Sequence, residues 1–207
     1  MVLHEPATLL TDYLLAALAG GLALRRQKHT SPAKRAARWW SRALALTAAS
    51  AFIGGGYHRV ESDLSTSVAN AWWISTLLVI GLISDAMEMR LHPELADADR
   101  PGSWRGLVAL KLGVFAAAVL VHPQFVVAII DYGLTMLAWA AAATIVRRTW
   151  WGWMLAAIGL SFLASVVQQM SWSVSTHFNH NDLYHVIQAV AIVGFYRAGC
   201  RFGTLAR

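Results

Sequence analysis

The amino-acid sequence predicts an all-α integral membrane protein, a bundle of seven transmembrane helices that forms a single domain over residues 1–207. Composition supports this class, because 57% of the residues are hydrophobic, only 14% are charged, and the mean hydropathy is +0.48. An ordinary water-soluble domain carries far more charge. The apolar residues also cluster into stretches of about 20, the length that a helix needs to cross a bilayer.

Seven such stretches follow one another along the chain. They cover residues 7–24, 39–57, 66–88, 106–121, 124–146, 150–170 and 181–198. Each is predicted to be a helix, because lipid leaves no water for backbone groups and the runs lack the alternation of barrel strands. The longest connection, residues 91–104, is predicted to be a solvated turn, since it contains Pro93, Pro101 and the acidic residues Glu94, Asp97 and Asp99.

The basic residues predict the orientation. All of the 17 Lys and Arg residues except Arg59 fall on one side of the seven spans. Cytoplasmic loops carry the excess of Lys and Arg, so the N-terminus is predicted outside and the C-terminus in the cytoplasm, in the inner membrane of a bacterium. The same placement between apolar runs argues against a nucleic-acid partner. The single cysteine, Cys200, excludes an internal disulfide and a CxxC motif.

The tryptophans agree with this orientation, because Trp is enriched at the headgroup level of membranes. Trp172 lies at a predicted outer end. The predicted inner ends carry Trp39, Trp40, Trp104, Trp150, Trp151 and Trp153. All are therefore expected to anchor the bundle at the interface.

Polar side chains concentrate in the outer half. All of the histidines except His29 and His92 map to that side. Polar groups at membrane depth are costly unless they face the bundle interior or a cavity, so a polar pocket is predicted. Its expected lining residues are Asp12, Asn70, Asp131, Gln168, His177 and Gln188. Asp12 and Asp131 could instead pair with polar groups across the bundle. Gln168 could instead form a hydrogen bond between helices. Asp85 is expected to form an ion pair with Lys111.

Histidines approach one another from two helices. His177, His180 and His185 lie at the entry to helix 7, where Asn181 or Asp182 is expected to cap the helix. Helix 2 ends in Gly54, Gly55, Gly56, Tyr57 and His58, and its glycines permit close approach to a neighbour. We therefore expect His58 to meet the helix 7 histidines.

Converging neutral imidazoles suit zinc, which activates a bound water for hydrolysis. The predicted zinc ligands are His58, His180 and His185, with His177 as an alternative to His180. A carboxylate, Asp63 or Asp182, with Asp12 as a further candidate, is expected to act as general base or to orient a ligand.

This arrangement resembles the alkaline ceramidase superfamily, which includes the adiponectin and progestin receptor proteins. The segment 180–196 is similar to the final helix of small uncharacterised bacterial membrane proteins. The resemblance implies a zinc ion held by one His of helix 2 and two of helix 7, with Ser and Asp nearby, and hydrolysis of a lipid amide. His58 and His185 match two ligands. Asn181 stands where the family has the first helix 7 His, Gly54 replaces its Ser, and Asn70 lies where its helix 3 Asp is expected.

Two functions follow as hypotheses. The first is a zinc-dependent hydrolase that acts on a lipid amide or ester from the outer side of the membrane. The alternative is a binding or sensing protein that holds a lipid, a haem between two axial histidines, or a metal ion without turnover. A retinal pump is disfavoured, because the one predicted intramembrane lysine, Lys111, lies towards the inner end of helix 4.

Overall fold

The computed structural model describes residues 6–28, 35–95, 101–175 and 177–202. Within these ranges the chain forms seven α-helices, and a short 3₁₀ helix, Glu61–Asp63, joins the second to the third. The α-helices are Pro6–Lys28 (α1), Arg35–Val60 (α2), Thr66–Leu95 (α3), Pro101–Val121 (α4), Phe125–Val146 (α5), Trp151–Gln169 (α6) and His180–Cys200 (α7). The predicted all-α class and the positions of the seven helices are confirmed, with shifts at their ends.

Five of the described helices, α1, α3, α4, α5 and α6, are long and apolar enough to cross a membrane. Their outer faces carry large apolar side chains that are exposed; Leu110 and Val114 on α4 are 65% and 64% exposed. Such faces suit lipid better than water. The helices α2 and α7 contain more polar residues, which lower the mean hydropathy of both helices. Some of these polar residues face the interior of the bundle. These features are consistent with a membrane protein.

Six helices close into a ring. α1 packs against α2, α2 against α3, α3 against α5, α5 against α6, α6 against α7, and α7 against α1 again. α4 lies outside this ring, in contact with α3 and α5. A ring of six helices cannot fill its own centre with backbone, so the side chains that point inward determine what space remains there.

At the predicted inner end the ring is filled by aromatic side chains. Trp40 is 1% exposed and its Nε1 donates to the Phe195 carbonyl at 3.0 Å. Trp150 is fully buried and packs edge-on against Trp139. The expectation that Trp40 and Trp150 lie at the lipid interface is therefore wrong, because both use the indole as apolar core and satisfy its N–H inside the protein.

The predicted solvated turn at residues 91–104 is wrong in its first part. α3 continues through Pro93 to Leu95. Glu94 is 4% exposed and accepts hydrogen bonds from Arg90 and from Trp150 Nε1, with Arg148 Nη1 at 3.5 Å. A buried carboxylate that is paired in this way belongs to the core of the inner end. Asp97 and Asp99 lie outside the described residues.

Candidate functional site

The centre of the ring contains a cavity of about 240 Å³. α2 lines it from His58 down to Trp40, α3 from Trp73 to Met87, and α7 from Asn181 to Phe195. At a rise of 1.5 Å per residue, the lined part of α2 extends over about 27 Å. Because the cavity volume is small for this length, the cavity is a narrow channel inside the ring.

The two ends of the cavity differ in chemistry. One end is apolar and closes on the aromatic core through Trp40, Met87 and Phe195. The other end carries polar side chains from α1, α2, α6 and α7, which are Asp12, His58, Gln168, Asn181, Tyr184 and His185. An elongated apolar space with one polar end has the chemistry of a site for an amphiphile.

The polar end is organised around His185. Its Nε2 lies 3.1 Å from Asp12 Oδ1, and its Nδ1 lies 3.1 Å from Thr11 Oγ1. Thr11 and Asp12 both belong to α1, so these two contacts join α7 to α1, its neighbour in the ring. His58 lines the same end and interacts electrostatically with His185. The expected approach of helix 2 to a helix 7 histidine is confirmed for His58 and His185.

A capping box fixes where α7 starts and therefore where His185 lies. Asn179 is the N-cap; its Oδ1 accepts from the backbone N–H groups of Asn181 and Asp182 at 2.8 and 3.3 Å. In return Asp182 Oδ2 accepts from the Asn179 N–H at 2.7 Å. The expectation that Asn181 or Asp182 caps the helix is wrong by two to three positions, because Asp182 takes the second role in the box.

Asp182 also ties the helix start to α1. It is 1% exposed, and its Oδ1 lies 3.4 Å from Thr11 Oγ1. It is not one of the cavity-lining residues. Asp182, which was predicted as a catalytic group, thus lies outside the cavity wall, and its contacts position the start of α7.

Gly55 allows α1 and α2 to approach each other closely. A Cβ built on Gly55 would lie 2.8 Å from Asp12 Cβ and 3.0 Å from Tyr13 Cε1, closer than side-chain carbons normally approach. Only glycine permits this contact, so the prediction that the glycine run brings α2 close to a neighbour is confirmed at Gly55. The contact places Asp12 against α2 about one turn before His58.

Amide side chains join α6 to α7 at the cavity wall. Gln168 Nε2 donates to Asn181 Oδ1 at 2.8 Å. Gln188 Oε1 accepts from Ser161 Oγ at 3.2 Å, and its Nε2 donates to Tyr184 Oη at 3.3 Å. Gln168 and Gln188 therefore line the cavity as predicted. Each also forms a hydrogen bond between α6 and α7, which is the role expected for Gln168 as an alternative.

Several predicted site residues lie away from the cavity. His177 is exposed before α7, and His180 is half-buried at its first position. Asp63 is exposed on the 3₁₀ helix, and Asn70 is exposed on α3. None of these four is among the residues that line the cavity.

Asp131 is buried but is likewise absent from the cavity wall. Its Oδ1 pairs with Lys111 Nζ at 2.7 Å. Asp131 therefore forms the pairing across the bundle that was expected as the alternative to a place in the pocket. Lys111 pairs with Glu88 as well, at 2.9 Å, whereas its expected partner Asp85 interacts with it at longer range.

Sequence reasoning missed two groups of the cavity wall. Thr47 and Ser50 line the cavity on α2 below His58, and Tyr184 lines it one residue before His185. The α2 positions could have been found, because Thr47, Ser50, Gly54 and His58 recur every three or four residues and so share one helix face. The place of Tyr184 in the cavity wall depends on the register of α7, which the capping box sets.

The predicted zinc ligands are not assembled in this arrangement. A zinc site needs several ligand atoms that are free to point at one ion. Both ring nitrogens of His185 have partners on α1, and His180 lies outside the cavity. Within the described part of the chain, no three His, Cys, Asp or Glu side chains are grouped so that they could hold a metal ion. Zinc binding by His58, His180 and His185 stays a prediction.

Comparison with known proteins adds a family assignment. No curated protein and no solved structure matches the chain. A family model described as a family of unknown function (DUF6962) matches residues 7–204, nearly the whole chain and all seven helices. The chain therefore belongs to this family of unknown function.

Proposed function

We propose that this chain is a membrane protein that binds one single-chain amphiphile inside its ring of helices. The observation that carries the proposal is the cavity itself, narrow, apolar over most of its length and polar at the end where Asp12, His58 and His185 meet. An alkyl chain along α2, α3 and α7 would remove apolar surface from contact with water or with empty space. The polar group of the ligand would lie beside His58 and His185.

The polar end favours a head group that donates hydrogen bonds. Two of its buried acceptor atoms, Asp12 Oδ2 and Gln168 Oε1, have no hydrogen-bond partner. A buried polar atom without a partner costs about 1–3 kcal/mol. A head group with N–H or O–H donors would supply the missing partners, whereas a carboxylate or phosphate head would add acceptor oxygens where two acceptors are already unpaired.

The proposal includes seven membrane spans with the N-terminus outside and the C-terminus in the cytoplasm of a bacterium. In that orientation the polar end of the cavity faces outward, because Asp12, His58 and His185 belong to the predicted outer ends of α1, α2 and α7. The basic residues at the opposite helix ends support the same direction. The ligand would then come from the outer leaflet of the inner membrane.

The proposal is tested by native mass spectrometry of the protein in detergent, with a long-chain amine and a long-chain fatty acid as probes. Ile192→Trp places a large side chain in the cavity, where Ile192 is a lining residue. Val190→Trp is the matched control, because Val190 lies two residues away on the same helix and is 56% exposed.

We expect one bound amine per chain in the wild type and in Val190→Trp, and at least a tenfold loss of occupancy in Ile192→Trp. Equal occupancy in both variants would overturn the proposal, because the amine would then bind outside the cavity. Stronger binding of the fatty acid than of the amine would contradict the assignment of a donor head group.

A zinc-dependent hydrolase of a lipid amide or ester is the second candidate. It is favoured by the convergence of Asp12, His58 and His185 at the place where the head group would lie. Elemental analysis of purified wild type beside His185→Ala tests it, and the same samples give an absorption spectrum. About one zinc per chain that is lost in the variant would support the hydrolase. Protein without zinc would count against it, and a Soret band would instead indicate haem.

A further inference from the structure

One serine in the wall of the cavity differs from the other hydroxyl residues there in its hydrogen bonding. Ser50 of α2 lines the cavity and is only 8% exposed. The hydroxyl groups of Thr47 and Thr76, also in the wall, donate to carbonyls of their own helices, at 2.9 Å to Ala43 and at 3.2 Å to Trp72. Ser50 Oγ makes no hydrogen bond with any residue in the described part of the chain. A buried hydroxyl that faces the cavity is therefore left to bind something inside it.

Ser50 lies midway along the cavity, well below the polar end. It is eight residues before His58 and ten residues after Trp40, which bound the lined part of α2. At 1.5 Å per residue, Ser50 is about 12 Å from His58 and about 15 Å from Trp40 along the helix axis. A compact head group beside His58 cannot reach this depth, so Ser50 meets the chain of the ligand.

A second polar group from α7 lies at nearly the same depth. Trp40 Nε1 donates to the Phe195 carbonyl, which sets the inner ends of α2 and α7 side by side. Counted from there, Ser50 is about 15 Å up α2 and Gln188 is about 10 Å up α7. Gln188 lines the cavity and is 8% exposed. Its amide nitrogen carries two N–H donors, and the bond to Tyr184 Oη uses one of them.

We infer that the ligand is an amphiphile whose chain carries a hydroxyl group at the depth of Ser50, within reach of Gln188. An extended chain advances about 1.2 Å per bond, so this hydroxyl lies about ten bonds from the head group. A hydroxyl suits the position because it can donate to Ser50 Oγ and accept an N–H at the same time. A plain hydrocarbon chain would seal the Ser50 hydroxyl without a partner, which is unfavourable. This inference rests on the amphiphile proposed above and narrows it to a class with a polar group in mid-chain.

Competition binding by native mass spectrometry tests the inference, with octadecylamine as the reference ligand. The probes are two hydroxylated octadecylamines, one with the hydroxyl about ten carbons from the nitrogen and one with it at the far end of the chain. The wild type should bind the mid-chain alcohol about three- to tenfold more tightly than octadecylamine, as expected for one added hydrogen bond. The far-end alcohol should gain nothing, because its hydroxyl would lie in the apolar end of the cavity.

Ser50→Ala should lose the preference for the mid-chain alcohol. Ser75→Ala is the matched control and should keep it, because Ser75 is exposed on α3 and its hydroxyl donates to the Ala71 carbonyl at 2.8 Å.

Equal affinity of the wild type for octadecylamine and the mid-chain alcohol would overturn this inference and leave the binding of a single-chain amphiphile intact. A preference that survives in Ser50→Ala would overturn it as well, since the hydroxyl would then bind elsewhere. Failure of all three amines to bind the wild type would instead overturn the proposed function, and this inference with it. Should Ser50→Ala fail to fold, the comparison of the two alcohols on the wild type still decides the question.

Discussion

The close contact between α1 and α2 makes Gly55 the most sensitive test of how the polar end of the cavity is built. In Gly55→Ala the new Cβ would lie 2.8 Å from Asp12 Cβ, and because rotation of a side chain does not move its Cβ, the backbones of α1 and α2 must move apart and displace Asp12. Overpacking of this kind costs about 1–3 kcal/mol. Alanine also favours a helix over glycine by about 1 kcal/mol, which offsets part of that cost.

The neighbouring Gly54→Ala separates the two effects. A Cβ on Gly54 would lie 3.6 Å from Thr76 Cγ2, an ordinary contact, so this variant gains the helix propensity without the clash. We expect Gly55→Ala to be less stable than Gly54→Ala by about 1–3 kcal/mol in the free energy of unfolding, measured in detergent. Both variants change the same residue type on the same helix, so the unfolded chain contributes almost equally to both.

Ligand binding gives a second result from the same variant. Displacement of Asp12 should weaken binding of a long-chain amine to Gly55→Ala. Gly21→Ala is the control here, because a Cβ on Gly21 meets nothing within 4 Å and Gly21 does not line the cavity. Equal stability of Gly55→Ala and Gly54→Ala, with undiminished amine binding to Gly55→Ala, would refute this account of the α1–α2 contact.

Three further predictions concern the inner end, the helix 7 cap and the topology. Glu94→Ala should lower the free energy of unfolding by about 3–5 kcal/mol, because it leaves Arg90 buried without its carboxylate partner. The exposed control Asp63→Asn should change the free energy of unfolding by no more than about 0.5 kcal/mol. Similar losses in both variants would contradict the buried pairing. Asn179→Ala should cost about 0.5–2 kcal/mol by removing the cap, and the exposed Asn70→Ala on α3 should not; equal losses would argue against the capping box. A membrane-impermeant maleimide should label Cys200 only from the cytoplasmic side, and labelling of intact spheroplasts would contradict the proposed orientation.

The sequence predicted the helices well because each apolar stretch has the length and continuity that a bilayer requires. It failed where buried polar groups find partners on other helices. Glu94 looks like part of a solvated turn until Arg90, Arg148 and Trp150 are seen around it. Pairing of this kind depends on how distant parts of the chain pack, which hydropathy does not contain.

The candidate site was predictable in part. His58 and His185 could be placed together because both lie at predicted outer helix ends, and the glycine run before His58 indicated close packing. His180 could not be placed correctly without the start of α7. It lies five residues before His185, about 140° around the helix, whereas Asn181, four residues before, lies only about 40° away. Asn181 therefore lines the cavity and His180 does not.

The binding of an amphiphile along the cavity is tested most directly by photocrosslinking with two long-chain amines, one carrying a diazirine beside the head group and one at the end of the chain. The proposed orientation predicts that the head probe labels peptides around His58 and His185, and that the chain-end probe labels peptides around Trp40 and Phe195. Labelling by both probes that falls on the exposed face of α4, at Leu110 and Val114, would contradict the claim that the ligand lies inside the ring.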